Sequence, residues 1–263
     1  MQQLLVQFPR IEVLWVEPWP TRTWDLFLFV DDPVTQSLPA LRKVQIHYPH
    51  SWGTVDLSTV TSLFSLGANI DTLAISYCNR VSCTLSLQNV TCLILERCYF
   101  TACCMSKLLS SCGKLDTFAY LFTKGQVSAN ELVCLLEEQG HNRTLRRLSF
   151  SYKTVQEYTS SLVSFSQLQI LRLCFGVWPE TMPEELRAEW LPPSLEDIAV
   201  SEGCKGLFFS GHEWLKWIRA KNSSGFFPRL RKLKIDREWL YEGFFYCRRW
   251  MITRRGLRCR EHT

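Results

Sequence analysis

The sequence predicts an α/β solenoid: a curved parallel sheet with one short strand per repeat and helices or irregular loops on its convex side. Three observations lead there. A Leu-x-x-Leu-x-Leu pattern, with any large apolar residue allowed, recurs nine times along the 263 residues. Several copies are led by an apolar residue and a proline, and stretches between copies carry helical spacing.

The copies begin at Ile11, Leu41, Ile70, Val90, Leu115, Leu145, Leu168, Leu195 and Leu230, so successive starts lie 30, 29, 20, 25, 30, 23, 27 and 35 residues apart. These intervals sit in or near the roughly 20–29 residues of a leucine-rich repeat, with the longer ones read as loop insertions. The fold expected is therefore a leucine-rich-repeat solenoid. At 46% hydrophobic residues, three apolar positions coincide by chance about one time in ten, so the pattern needs independent support.

That support comes from the flanks. Phe8-Pro9, Leu38-Pro39, Leu191-Pro192 and Phe227-Pro228 lead four copies; proline fixes its own φ and pushes the preceding residue toward extended geometry. Two adjacent copies continue to cysteine at the ninth position, Cys78 and Cys98, where a leucine-rich repeat carries Asn or Cys. Ser128-Ala129-Asn130-Glu131 is a capping box ahead of Leu132, Leu135 and Leu136, closed by Gly140. Met105, Leu108, Leu109 and Cys112 repeat that spacing, as do Trp214, Leu215 and Ile218 before Gly225. Irregular repeats with strands near 11–16, 41–46, 70–75, 90–95, 115–120, 145–150, 168–173, 195–200 and 230–235 fill residues 1–236, and residues 237–263 form a basic, aromatic cap or tail.

Composition narrows the function classes. Charged residues make up 21%, as in a globular protein, and no apolar run reaches the 18 or so residues needed to span a bilayer. The segment Met1–Pro9 has neither the charged nor the apolar region of a signal peptide. An intracellular protein, cytoplasmic or nuclear, is expected, with no membrane contact. Its twelve cysteines then read as reduced core thiols rather than a disulfide framework. With no C-x-x-C spacing in the chain, no metal site is expected.

Catalytic signatures are missing: the chain has no G-x-S-x-G elbow, no H-E-x-x-H helix and no Gly-rich phosphate loop. His47, His50 and His212 read as solvated loop residues. A cysteine–histidine pair meeting in space would make a cysteine-dependent enzyme, an alternative kept below a non-enzymatic reading with no cofactor.

Binding is what a solenoid offers. Successive strand side chains alternate, so the third, fifth and seventh positions of each copy face the concave side when the consensus residues point into the core. There, a small apolar centre at Ala74, Cys92, Ile94 and Ala119 is bordered by Lys43, Arg147, Arg172, Lys232 and Lys234, with Trp15 on the first strand. Trp15, Lys43, Ile94, Arg147, Arg172, Lys232 and Lys234 are the candidate contacts for a protein ligand with an apolar anchor and acidic flanks. From Arg237 onward seven Arg stand against three Glu, +4 of the total +5. Arg248, Arg249, Arg254, Arg255, Arg258 and Arg260 make a nucleic-acid-associated protein the other alternative, although the interleaved Phe244, Phe245, Tyr246 and Trp250 suit a terminal cap better.

Irregular repeats, Pro-led strands such as Leu191-Pro192-Pro193-Ser194-Leu195-Glu196-Asp197-Ile198 and Phe227-Pro228-Arg229-Leu230-Arg231-Lys232-Leu233, and the Trp-rich Trp214-Leu215-Lys216-Trp217-Ile218 give the chain a family likeness. It resembles the leucine-rich-repeat regions of fungal F-box proteins. The resemblance implies a substrate receptor whose repeats hold a protein, while an F-box docks on the Skp adaptor of a cullin-type ubiquitin ligase. No F-box fits upstream of Ile11. The expectation is a recognition scaffold that either stands alone or lacks residues ahead of Met1, with a Skp-type adaptor as partner only in the second case.

Overall fold

The structure, a computed structural model, describes residues 10–16, 38–48, 55–65, 67–123, 126–152, 161–174, 190–201 and 218–236. Within them runs one open sheet of nine parallel strands in strict chain order. The strands are β1 (Val13–Val16), β2 (Lys43–His47), β3 (Thr72–Ser76), β4 (Cys92–Glu96), β5 (Thr117–Thr123), β6 (Arg147–Tyr152), β7 (Ile170–Cys174), β8 (Asp197–Ser201) and β9 (Lys232–Asp236). Each begins at the third position of its copy of the pattern, two residues after the first apolar residue.

The late start has a backbone cause that repeats at every junction. The carbonyl of each second-position residue accepts two amides, from the second and third positions of the next copy: Arg42 and Lys43 donate to Glu12 at 2.9 and 3.0 Å, Asp71 and Thr72 to Arg42 at 2.9 and 3.1 Å. The same fork joins all eight pairs, ending with Arg231 and Lys232 on Glu196. One carbonyl spent on two amides turns the first two residues of a copy toward the ladder before regular pairing begins. The registers follow, third position on third, in all eight.

Ahead of the fork sits a tight turn. In most copies the first apolar residue donates its amide to a carbonyl three residues back, as Leu41 to Leu38, Val90 to Leu87, Leu168 to Phe165 and Leu230 to Phe227, whereas Leu145 reaches four back to His141. Leu38, Leu87, Phe165 and Phe227 are buried, so the apolar-Pro lead is an anchored turn with proline at its second corner. In the eighth copy the acceptor is Pro192, not Leu191. The pair leading that strand is therefore Pro192-Pro193, one residue later than the sequence suggests.

The consensus side chains form the core. Positions one, four and six are buried throughout β2 to β7, from Leu41, Val44 and Ile46 to Leu168, Leu171 and Leu173; each such side chain contributes about 1.5–3 kcal/mol of apolar burial. Between strands, among the described residues, lie α1 (Thr61–Ser65), α2 (Ala102–Ser111) and α3 (Ala129–Glu138). Thr101 caps α2, while Ser128 and Glu131 form the reciprocal capping box of α3. Met105, Leu108 and Leu109 of α2 and Leu132, Val133 and Leu136 of α3 are buried, and the two helices pack on each other. Gly140 follows with φ 75°, a left-handed stop that glycine adopts without strain. Residues 218–223 are helical up to Gly225, whereas Trp214 and Leu215 lie outside the described residues.

Candidate binding face

On the side of the sheet away from the consensus residues, the in-register pairing lines up equal positions as rows crossing the strands. The fifth-position row reads Trp15, Gln45, Ala74, Ile94, Ala119, Ser149, Arg172, Ala199 and Lys234, and the third-position row reads Val13, Lys43, Thr72, Cys92, Thr117, Arg147, Ile170, Asp197 and Lys232. Ala74, Ile94 and Ala119 are thus direct neighbours on β3, β4 and β5, with Cys92 in the adjoining row. Ile94 is half-buried, while Ala74 and Ala119 are each 8% exposed. The apolar centre is a shallow floor with one larger side chain.

Its cationic border is uneven. Lys43 (half-buried) and Arg147 (exposed) flank Thr72, Cys92 and Thr117 in a single row, four strand intervals or roughly 19 Å apart. Arg172 lies in the fifth-position row on β7, but Lys232 is registered beside Asp197, an opposite charge. The side chain of Lys234 falls outside the described residues. Burial pushes the Cys92 thiol above its ordinary range, with the Lys43 ammonium pulling the other way; Cys92 therefore stays a neutral thiol on the floor near pH 7.

Trp15 belongs to a different cluster, which the sequence reading missed. Its ring lies 6.1 Å from that of His47, and the His47 ring meets Tyr77 edge-on at 5.4 Å. Arg97 places its guanidinium 5.4 Å from the Tyr77 ring centre and donates from Nη1 to the Tyr77 hydroxyl. Four copies thereby contribute one side chain each to a row at the C-terminal ends of β1 to β4. Tyr77 and Arg97 reach it because both have left-handed backbone, φ 61° and 51°, at the residue directly after the strand. Their amides donate to Glu96 and Leu121 carbonyls at 3.0 and 2.8 Å, hydrogen bonds that offset the roughly 1–2 kcal/mol cost of that conformation. His47 is thus a half-buried packed ring, not the solvated loop residue expected; His50 and His212 lie outside the described residues.

Glu96 closes the row. Its carboxylate sits 3.9 Å from Arg97 Nε, and burial lifts it above the usual carboxylate range, with the Arg97 guanidinium opposing. Behind it, Cys78 and Cys98 occupy equal positions, each donating its thiol to backbone carbonyls, Cys78 to Val55 at 3.4 Å and Cys98 to Ile75 at 3.5 Å. Burial raises the Cys78 thiol to about 12 and the Cys98 thiol well above its normal range. His141, also buried, has Nε2 3.1 Å from the Leu109 carbonyl, and burial lowers its pKa.

The eight cysteines whose side chains are described, from Cys78 to Cys134, are free thiols. Among the described residues no three His, Cys, Asp or Glu side chains converge on a possible metal position, and no helix is long and apolar enough to cross a membrane. The Arg-rich segment from Arg248 to Arg260 lies outside the described residues. What the fold and this face define is an α/β protein of one open parallel sheet, carrying its chemical variety on one side. Comparison with models of protein families and with curated proteins finds no match, so the face has to be read from its own chemistry.

Proposed function

We propose that the chain is a leucine-rich-repeat solenoid acting as a non-enzymatic protein-recognition scaffold, with the third- and fifth-position rows as its binding surface. The observation that carries this reading is the register: equal positions of nine copies align, so side chains unrelated to the core form a continuous surface wide enough for an extended segment. Ile94 on its alanine floor accepts an apolar anchor, and Lys43 and Arg147 attract acidic residues on either side. The Trp15–His47–Tyr77–Arg97 row adds an aromatic and cationic margin along one end. The likeness to the substrate-holding repeats of F-box proteins agrees with such a role. Part in a ubiquitin ligase would further need an F-box.

Selection from a random peptide library tests the reading directly. Recovered peptides should share an apolar residue flanked by Asp or Glu, and Lys43→Glu combined with Arg147→Glu should weaken their binding at least about tenfold, or 1.4 kcal/mol, without moving the unfolding midpoint. Peptides lacking acidic residues, or binding indifferent to the double reversal, would sink it.

A further inference from the structure

The two edges of the sheet are complementary halves of the joint that recurs eight times inside it. Phe8-Pro9-Arg10-Ile11-Glu12-Val13-Leu14-Trp15-Val16 and Phe227-Pro228-Arg229-Leu230-Arg231-Lys232-Leu233-Lys234-Ile235 share their lead and apolar spacing. We propose that copies of this chain associate head to tail, β9 of one copy pairing in parallel with β1 of a second.

Three features point to a second copy as the occupant. In every interior junction the second-position carbonyl takes two amides from the next strand; the equivalent groups at the edges are the Arg231 carbonyl and the Glu12 and Val13 amides, none bonded among the described residues. Next, the first and fourth positions, buried throughout β2 to β8, are only half-buried at the two ends: Ile11 and Leu14 at one, Leu230 and Leu233 at the other. Val13 is 54% exposed. Stacking end on end would cover all five.

Charge supplies the third. The second-position row runs Glu12, Arg42, Asp71, Thr91, Asp116, Arg146, Gln169, Glu196, Arg231, and within it Arg42 pairs with Asp71 at 3.9 Å and Arg146 with Asp116 at 3.6 Å. A ninth junction sets Arg231 of one copy beside Glu12 of the next, continuing the alternation. Such a contact joins two different surfaces, so each added copy leaves a free head and a free tail and growth does not stop at a dimer.

Sedimentation of the full chain over a wide concentration range is the test. The average mass should climb past that of a dimer, and Glu12→Arg or Arg231→Glu alone should weaken association at least about tenfold. Both residues are exposed, so neither change should shift the unfolding midpoint measured at concentrations too low for association. An equimolar mixture of the two single variants should reassemble, because each then meets an opposite charge, as should the double variant. A chain that stays monomeric at every concentration overturns the proposal and assigns the edges to other cover. So does unchanged association of the single variants, or a mixture that stays apart.

Discussion

The two sides of the sheet obey different rules. On the core side, positions one, four and six are interchangeable large apolar residues, and from β2 to β7 every one is buried. On the other side residue type varies from strand to strand: the fifth-position row alone includes tryptophan, glutamine, alanine, isoleucine, serine and arginine. Regularity therefore sits where it builds the core, and variety sits on the opposite face of the sheet. Adjacent residues of β4 embody the contrast, since Leu93 points into the core while Ile94 lies half-buried on the outer face.

That pair offers the sharpest way to break the comparison. Leu93→Ala should lower the free energy of unfolding by about 3 kcal/mol, the cost of a cavity in a closed core, against less than about 1 kcal/mol for Ile94→Ala in the same urea titration. Equal losses would mean that the outer face is a second core. Next in size is Gly113→Ala. A Cβ there would stand 2.1 Å from the Gln88 carbonyl oxygen, beside the parallel bridge between Leu87 and Cys112, so we expect a loss of about 2 kcal/mol from forced separation. Unchanged stability would show that this junction can open freely.

Acid separates the two sides more gently. Burial lowers the pKa of His141, so its folded-state value lies below the unfolded one. The stability it supports is present above about pH 6.5 and is lost as pH falls through the folded value. Glu96, on the outer face, is shifted upward and runs the opposite way: its burial costs stability as pH rises through its folded value. The unfolding midpoint should therefore drop below pH 6.5, and His141→Gln, which keeps a donor for the Leu109 carbonyl but does not titrate, should flatten that drop. A profile identical in the variant would remove His141 from the account. Smallest is the effect of Lys43→Glu with Arg147→Glu on folding itself, expected within about 0.5 kcal/mol even as ligand binding fails.

Strand number and the grouping of Ala74, Ile94 and Ala119 were legible in the sequence because burial imposes a spacing that apolar residues alone can satisfy. The capping box at Ser128 was legible for a similar reason: it needs only residues three apart. The aromatic row was not. Tyr77 and Arg97 enter it through left-handed backbone, and neither residue type signals that conformation as glycine or asparagine would. His47 looked solvated because its neighbours, Trp15 and Tyr77, lie 32 and 30 residues away in the chain. The strand starts were displaced by two residues because the forked carbonyl is a backbone device with no side-chain mark.

That fork has a consequence for how such a protein can change. Copies three and four start 20 residues apart and copies eight and nine 35 apart, yet the amides that join them reach their carbonyl at 2.9 and 3.0 Å in both cases. The three residues from the first apolar position to the third act as a fixed gauge, like the sleeper spacing of a railway. All slack is taken up between the end of one strand and the next turn. Insertions and deletions there alter the outline of the molecule without disturbing its track, whereas a single residue added inside the gauge would throw the side chains of that strand to the wrong side.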